Sequence, residues 1–202
     1  MKVAVIGAGG AAGSRIVSEL AGRGHAVLAL ARTPSKVPPG PGVIVRALDA
    51  SDPSAVTAAV RGQDAVVSAV KFLQVAPERL INGVRDAGVT RYVAVGGAGS
   101  LRGPGGEREM DDPRFPPSVK PEAEAGGRFL AALAVSDLDW TFLSPSRFFE
   151  PGERTGQFRL GQDDLLFDAN GRSAISMEDY AVALVDELER PQHRRARFTV
   201  GY

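Results

Sequence analysis

Glycines at positions 7, 9, 10 and 13 stand between a short apolar run ending at Ile6 and the start of a helical pattern. In that setting glycine performs anion chemistry through the backbone. Gly7 permits a tight turn out of a strand, the next glycine lets a phosphate approach the main chain, and Gly13 lets a helix pack closely on the strand. An anion then sits at the helix N-terminus, facing unpaired N–H groups and the positive end of the helix dipole. The run Gly7, Ala8, Gly9, Gly10, Ala11, Ala12 and Gly13 therefore reads as a cradle for the pyrophosphate of a dinucleotide, the alternative being a plain connecting turn.

Charge further along bears on which dinucleotide. Sites selective for NAD commonly place an acidic residue about 20 residues beyond the glycines, bonded to the ribose 2′-hydroxyl. Here the second apolar run ends in Arg32-Thr33-Pro34-Ser35-Lys36, with no carboxylate. A guanidinium at that point matches a 2′-phosphate bidentately, and Lys36 adds a point charge. The reading favours NADP, with NAD as the alternative cofactor and a solvated strand-end arginine as the bland account of Arg32. Asp49, just past the third apolar run, is placed either to contact the adenine edge or to open a turn or helix.

These residues need a scaffold, and the chain supplies an alternation of strand and helix patterns, as in a parallel sheet covered on both faces. Ile16, Val17, Leu20 and Ala21 recur at helical spacing until Gly22 and Gly24 end the helix. Strands are expected at Ala26–Ala31, Val43–Ala47, Ala65–Ala69, Arg91–Val95, Trp140–Leu143 and Arg197–Val200. Asp52-Pro53 is a capping residue with proline at the first helical position. Further helices are expected at Pro77–Ala87 and about Glu122–Ala134. Ser176-Met-Glu-Asp179 reads as a capping box opening a last helix, with Met177, Tyr180, Ala181, Leu184, Val185 and Leu188 on its buried face. Residues 96–120 are too rich in glycine, proline and charge for regular structure, and a loop of that length is usually functional. Asp168-Ala-Asn-Gly171 reads as a hairpin turn. The expected architecture is an α/β doubly wound parallel sheet of Rossmann type, one domain over residues 1–202, with a small C-terminal lobe on the substrate side.

Composition narrows the class. The 202 residues are 44 % hydrophobic and 24 % charged, as in an ordinary globular domain. Lys+Arg and Asp+Glu both number 24, so there is no electrostatic footprint for nucleic acid. Cysteine is absent, which excludes disulfides, thiolate metal sites and a catalytic thiol. The two histidines, His25 and His193, are far apart, so no metal cluster is expected; His25 is expected exposed at a turn, and the cluster His193-Arg194-Arg195-Ala-Arg197 solvated. No stretch suggests a signal peptide or a membrane span, and a cytoplasmic location is expected.

With glycines at 7, 10 and 13, the loop resembles the G-x-x-G-x-x-G of extended and atypical short-chain dehydrogenases/reductases. Asp64-Ala-Val-Val-Ser-Ala69, Val95-Gly-Gly-Ala-Gly-Ser-Leu101, Leu143-Ser-Pro-Ser146 and Ile175-Ser-Met-Glu-Asp-Tyr-Ala181 extend the likeness over nearly the whole chain. Together they resemble the NAD(P)H-binding group of NADH-flavin-reductase-like proteins, which includes relatives of biliverdin reductase B. The resemblance implies Gly7–Gly13 on the pyrophosphate and Arg32 on the 2′-phosphate. It implies Asp49 and Ala50 beside adenine, and Ser68, Ala69 and Val70 along the adenosine ribose. Gly96, Gly97 and Ala98 would lie near the nicotinamide ribose, and Ser144, Pro145 and Ser146 would border the nicotinamide.

The departure is catalytic. Short-chain dehydrogenases that oxidise alcohols use a tyrosine with a lysine four residues on, the lysine lowering the hydroxyl pKa. Of Tyr92, Tyr180 and Tyr202, none has lysine at that offset, Val119 precedes Lys120, and Gly97 stands where some flavin-reductase relatives carry serine. Flavin reduction asks less of the protein: the ring must be stacked on the nicotinamide and water excluded, and solvent supplies the proton. Phe72, Phe115, Phe148 and Phe149 follow strand ends or lie in the long loop, where they either touch such a planar acceptor or belong to the core. Ser100 and Lys120 either hydrogen-bond acceptor oxygens or the cofactor ribose, or are solvated. The expected function is an NADP(H)-dependent reductase of a flavin-like acceptor. Two rivals stand beside it: a non-catalytic redox-sensing regulator, as nitrogen-metabolite-repression regulators are, and a sugar or steroid enzyme with an unorthodox proton donor.

Overall fold

A computed structural model describes residues 1–202. Ten strands and five helices follow one another: β1 (Lys2–Ile6), α1 (Ala11–Gly22), β2 (Ala26–Ala31), β3 (Val43–Ala47), α2 (Pro53–Val60), β4 (Ala65–Ser68), α3 (Pro77–Asp86), β5 (Arg91–Val95), α4 (Lys120–Ala134), β6 (Asp139–Pro145), β7 (Phe148–Glu150), β8 (Arg159–Gly161), β9 (Ala174–Ser176), α5 (Met177–Glu189) and β10 (Ala196–Gly201). Eight strands form one sheet in the order β3-β2-β1-β4-β5-β6-β10-β8, parallel except for β8, which runs antiparallel to β10. Val5 pairs with Ala29 on one side and Val67 on the other, so β1 is the hub from which the order reverses.

Strand residues alternate between two cores because successive side chains leave opposite faces. On one face Val3, Val5, Val27, Val67 and Phe198 pack against Ile16, Val17 and Leu20 of α1 and Tyr180, Leu184 and Leu188 of α5. On the other Ala4, Ile6, Leu28, Tyr92 and Phe142 pack against Val56 of α2, Leu80 and Val84 of α3, and Phe129 of α4. Strands covered on both sides read as continuous apolar runs, which is why the central ones were visible in sequence. Asp52 caps α2 as its type predicts, accepting from the amides of Ser54 and Ala55. Ser176 caps α5 by accepting from Asp179 N, but the reciprocal half of the box is absent: the buried Asp179 carboxylate binds Thr155 Oγ1, Gly156 N and the Tyr202 hydroxyl.

Other expectations are corrected. Asp168–Gly171 is a turn, with Gly171 N bonding Asp168 O, but the strands flanking it are not partners: β8 pairs with β10 and β9 with β7. β6 runs on through Ser144 and Pro145 because β10 pairs along that length. The helix expected from about Glu122 begins at Lys120, with Pro121 in its first turn. His25 is buried, with Nε2 2.9 Å from Glu189 Oε1. Arg197 is not solvated: its guanidinium binds Asp163 and Ser100.

Candidate functional site

The C-terminal ends of β1 and β4, where the strand order reverses, open into two adjoining cavities, the position at which open α/β sheets bind ligands. Gly7 forms the turn with φ +85°, and a Cβ there would lie 2.2 Å from Ala69 O. A Cβ on Gly13 would lie 2.2 Å from Gly7 O, so only glycine allows α1 to approach this closely. The amides of Gly7 and Ala8 both donate to Leu30 O, and Gly10 N donates to Gly7 O. Those of Gly9, Ala11, Ala12 and Gly13 have no backbone acceptor, as expected at the first turn of a helix. Ala8 and Gly13 are themselves buried behind the turn and line neither cavity.

The smaller cavity, about 310 Å³, lies on the β2–β3 side of the loop and is lined by Gly7, Gly9, Arg32, Lys36, Asp49 and Ala50 among others. Arg32 is exposed and its Nη2 donates to Gln74 Oε1 across this cavity at 3.0 Å. The Asp49 carboxylate accepts from Ser51 N and Oγ, which together with nearby Arg32 hold its pKa below the usual carboxylate value.

The larger cleft, about 1260 Å³, runs from Gly10, Ala11 and Ala12 over Ala69 and Val70 to the end of β6. Gly96, Gly97, Ala98 and Ser100 form one wall together with Phe115 and Val119; Pro145, Ser146, Phe148 and Phe149 form another. All four phenylalanines singled out in the sequence line it. Phe72 rests on Phe129 and Phe142, with centroids 5.3 Å and 6.0 Å away, and Phe149 on Tyr180 at 4.7 Å. Phe148 is 44 % exposed. Ser100 Oγ accepts from Arg197 Nη1 at 2.9 Å, which leaves its own proton free to donate.

Besides Ala8 and Gly13, three of the expected residues stand outside both cavities. Ser68 is buried within the sheet and its Oγ accepts from Tyr92, so it lines neither cavity. Ser144 is fully buried in β6, its Oγ without a partner. Lys120, at the exposed start of α4, lines neither cavity and has Asp111 as its nearby acid. The tyrosines do not reach the cleft: Tyr92 and Tyr180 are fully buried, the latter donating to Leu143 O, and burial pushes both hydroxyls well above the usual tyrosine value.

The polar side chains of the cleft were not visible as candidates. Glu122 accepts from the amides of Phe72 and Leu73, setting the shape of that segment. Buried Glu109 faces Arg147, with Nε 2.6 Å from Oε1, and Asp112 binds Arg114 through both oxygens, which holds its pKa down at about 2. No local pattern announces pairs such as 109 with 147; only the fold brings them together. The long loop is accordingly fixed, tied also by Arg102 N to Asp163 O and Leu165 N to Arg102 O.

Comparison with known proteins places this geometry. A family model described as NAD(P)H-binding matches residues 7–191. The uncharacterized protein YwnB of Bacillus subtilis is 42 % identical over 212 residues, covering 99 % of this chain and 98 % of that one. A proposed epimerase from Bacteroides thetaiotaomicron superposes with a TM-score of 0.94 at 40 % identity, over 100 % of this chain and 96 % of the other. A proposed NADH-flavin reductase from Streptococcus pneumoniae gives 0.86 at 34 % identity, over 100 % and 99 %. No helix is long and apolar enough to cross a membrane.

Proposed function

This chain belongs to the NAD(P)H-binding family, and from that premise we propose that it is an NADPH-dependent reductase that passes hydride to a flavin-like planar acceptor. The observation that carries the reading is the wide, aromatic cleft beside the glycine loop, with no tyrosine hydroxyl within it. A dinucleotide suits this surface: free first-turn amides face an anion, and cavities adjoin the loop on both sides. Arg32 and Lys36 stand on the adenosine side against a single carboxylate, Asp49, whose Oδ1 is engaged by Ser51, and this excess of cations supports NADPH over NADH.

When bound, the reduced dinucleotide supplies the hydride. The chain's own residues bind and orient. Gly9, Ala11 and Ala12 offer amides to the pyrophosphate, and Arg32 offers its fork to the 2′-phosphate. Phe72, Phe115, Phe148 and Phe149 cover an acceptor ring and keep water from its face, which is where positioning contributes most of the rate. Ser100 offers a hydroxyl proton to an oxygen at the far end. The proton that completes acceptor reduction comes from solvent, so the missing tyrosine removes nothing this reaction needs.

Mixing purified protein with NADPH and riboflavin or FMN, and following the nicotinamide absorbance band, tests the proposal. Acceptor-dependent oxidation is expected. Tight NADPH binding without it would overturn the reductase reading and leave a dinucleotide-sensing regulator.

A further inference from the structure

We propose that Arg147 is the donor that grips a ring carbonyl oxygen of the acceptor and hydrogen-bonds it more strongly as the ring gains negative charge with the hydride. This rests on the reductase reading of the same cleft. Arg147 follows Pro145 and Ser146 at the C-terminal end of β6 and lines the larger cleft. Two of its three nitrogens are held: Nε lies 2.6 Å from Glu109 Oε1 and Nη2 donates to Oε2 at 2.8 Å. Its backbone N donates to Ser173 Oγ at 3.2 Å, and Cζ lies 5.8 Å from the centre of the Phe167 ring. The remaining nitrogen, Nη1, has no acceptor in the protein. A planar fork fixed on one side presents its other edge in a defined direction.

The charge around it selects the kind of oxygen. Arg114 is matched by Asp112, Arg147 by Glu109, and Glu122 is engaged by backbone amides, while the one cation of the cleft without an ion pair, Lys71, lines both cavities and so stands where they adjoin. An anionic head group would meet no unmatched guanidinium here. A neutral carbonyl, as in the dione edge of a flavin or in a quinone, needs only the free N–H groups. As hydride arrives the acceptor gains two electrons and a hydrogen, its oxygen becomes anionic, and the donor already in place stabilises that state more than the ground state. Water supplies the proton that follows; Arg147 keeps its own.

The test compares wild type with Arg147→Gln, Arg147→Lys and the double variant Arg147→Gln/Glu109→Gln, which removes the carboxylate left unpaired by the single change. NADPH affinity is measured by fluorescence titration, riboflavin affinity on NADP⁺-loaded protein, and turnover with NADPH and riboflavin. Both Gln variants are expected to keep NADPH affinity within about twofold, weaken riboflavin binding several-fold and lose roughly 100-fold in kcat, with Lys recovering part. Unchanged kcat, or loss of NADPH affinity in parallel with turnover in the double variant, overturns the assignment. If wild type shows no turnover, the reductase reading fails by itself. Riboflavin binding then decides on Arg147, and equal affinity in wild type and the Gln variants overturns it.

Discussion

At the scale of single residues, Arg32 and the tyrosines make opposite demands on the site. Arg32 is exposed, so its value to a bound phosphate lies in a charge-assisted, bidentate contact rather than in packing. Arg32→Glu removes that contact and adds repulsion. NADPH affinity is expected to fall by about 2 kcal/mol or more, roughly 30-fold, while NADH affinity changes little. Equilibrium titration of both cofactors checks this, and an unchanged NADPH affinity would refute the assignment. Tyr92 and Tyr180 are sealed in the two cores, each donating one hydrogen bond. Tyr92→Phe is expected to cost about 1 kcal/mol of stability and to leave NADPH oxidation rates untouched. A large loss of turnover with normal folding would return a tyrosine to the chemistry.

Between residues and the whole chain lie the elements, and there the glycine turn is the least tolerant of change. Gly13→Ala places a methyl 2.2 Å from Gly7 O, so α1 must move away from β1. Overpacking of this kind costs about 1–3 kcal/mol, and because the moving helix carries the free amides, NADPH binding is expected to fall with stability. Asp52→Ala gives the contrast: loss of the α2 cap costs about 1 kcal/mol with cofactor affinity unchanged, measurable by urea unfolding beside titration. The two mutations also mark what was legible in sequence. Gly7–Gly13 and Asp52-Pro53 work through neighbours within a few positions, so residue type and spacing reveal them. The length of β6, the partners of β8 and β9, and the Glu109–Arg147 pair depend on segments tens of residues apart. Ser68 and Ser144 were misplaced for a related reason: they lie at the right end of their strands, but strand register turns their side chains into the sheet's interior instead of the cleft.

Across the whole molecule, the segment after β7 ties one wall of the cleft to α1 and α5. Arg154 reaches α1, where its Nε and Nη2 both donate to Glu19 at 2.8 Å, while Arg23 donates to the same carboxylate. Thr155 and Gly156 are held by Asp179 of α5. This stretch continues directly from Phe148 and Phe149, so its anchors also brace that wall of the cleft. The Arg154 bonds, more than burial opposes them, lower the Glu19 pKa below its ordinary value of 4.5. A carboxyl whose pKa is lower folded than unfolded adds stability that is complete above the unfolded value and lost as pH falls through the folded one. Wild type is therefore expected to exceed Glu19→Gln in stability at pH 7, with the difference shrinking below about pH 4.5 and vanishing once both states are protonated. Urea unfolding of the two proteins across that range measures it, and a gap that persists undiminished into acid would show that Glu19 contributes by packing instead. If the wall is braced in this way, Glu19→Gln at neutral pH also weakens riboflavin binding more than NADPH binding, because the glycine loop and Arg32 are held by β1, β2 and α1 and do not depend on Arg154.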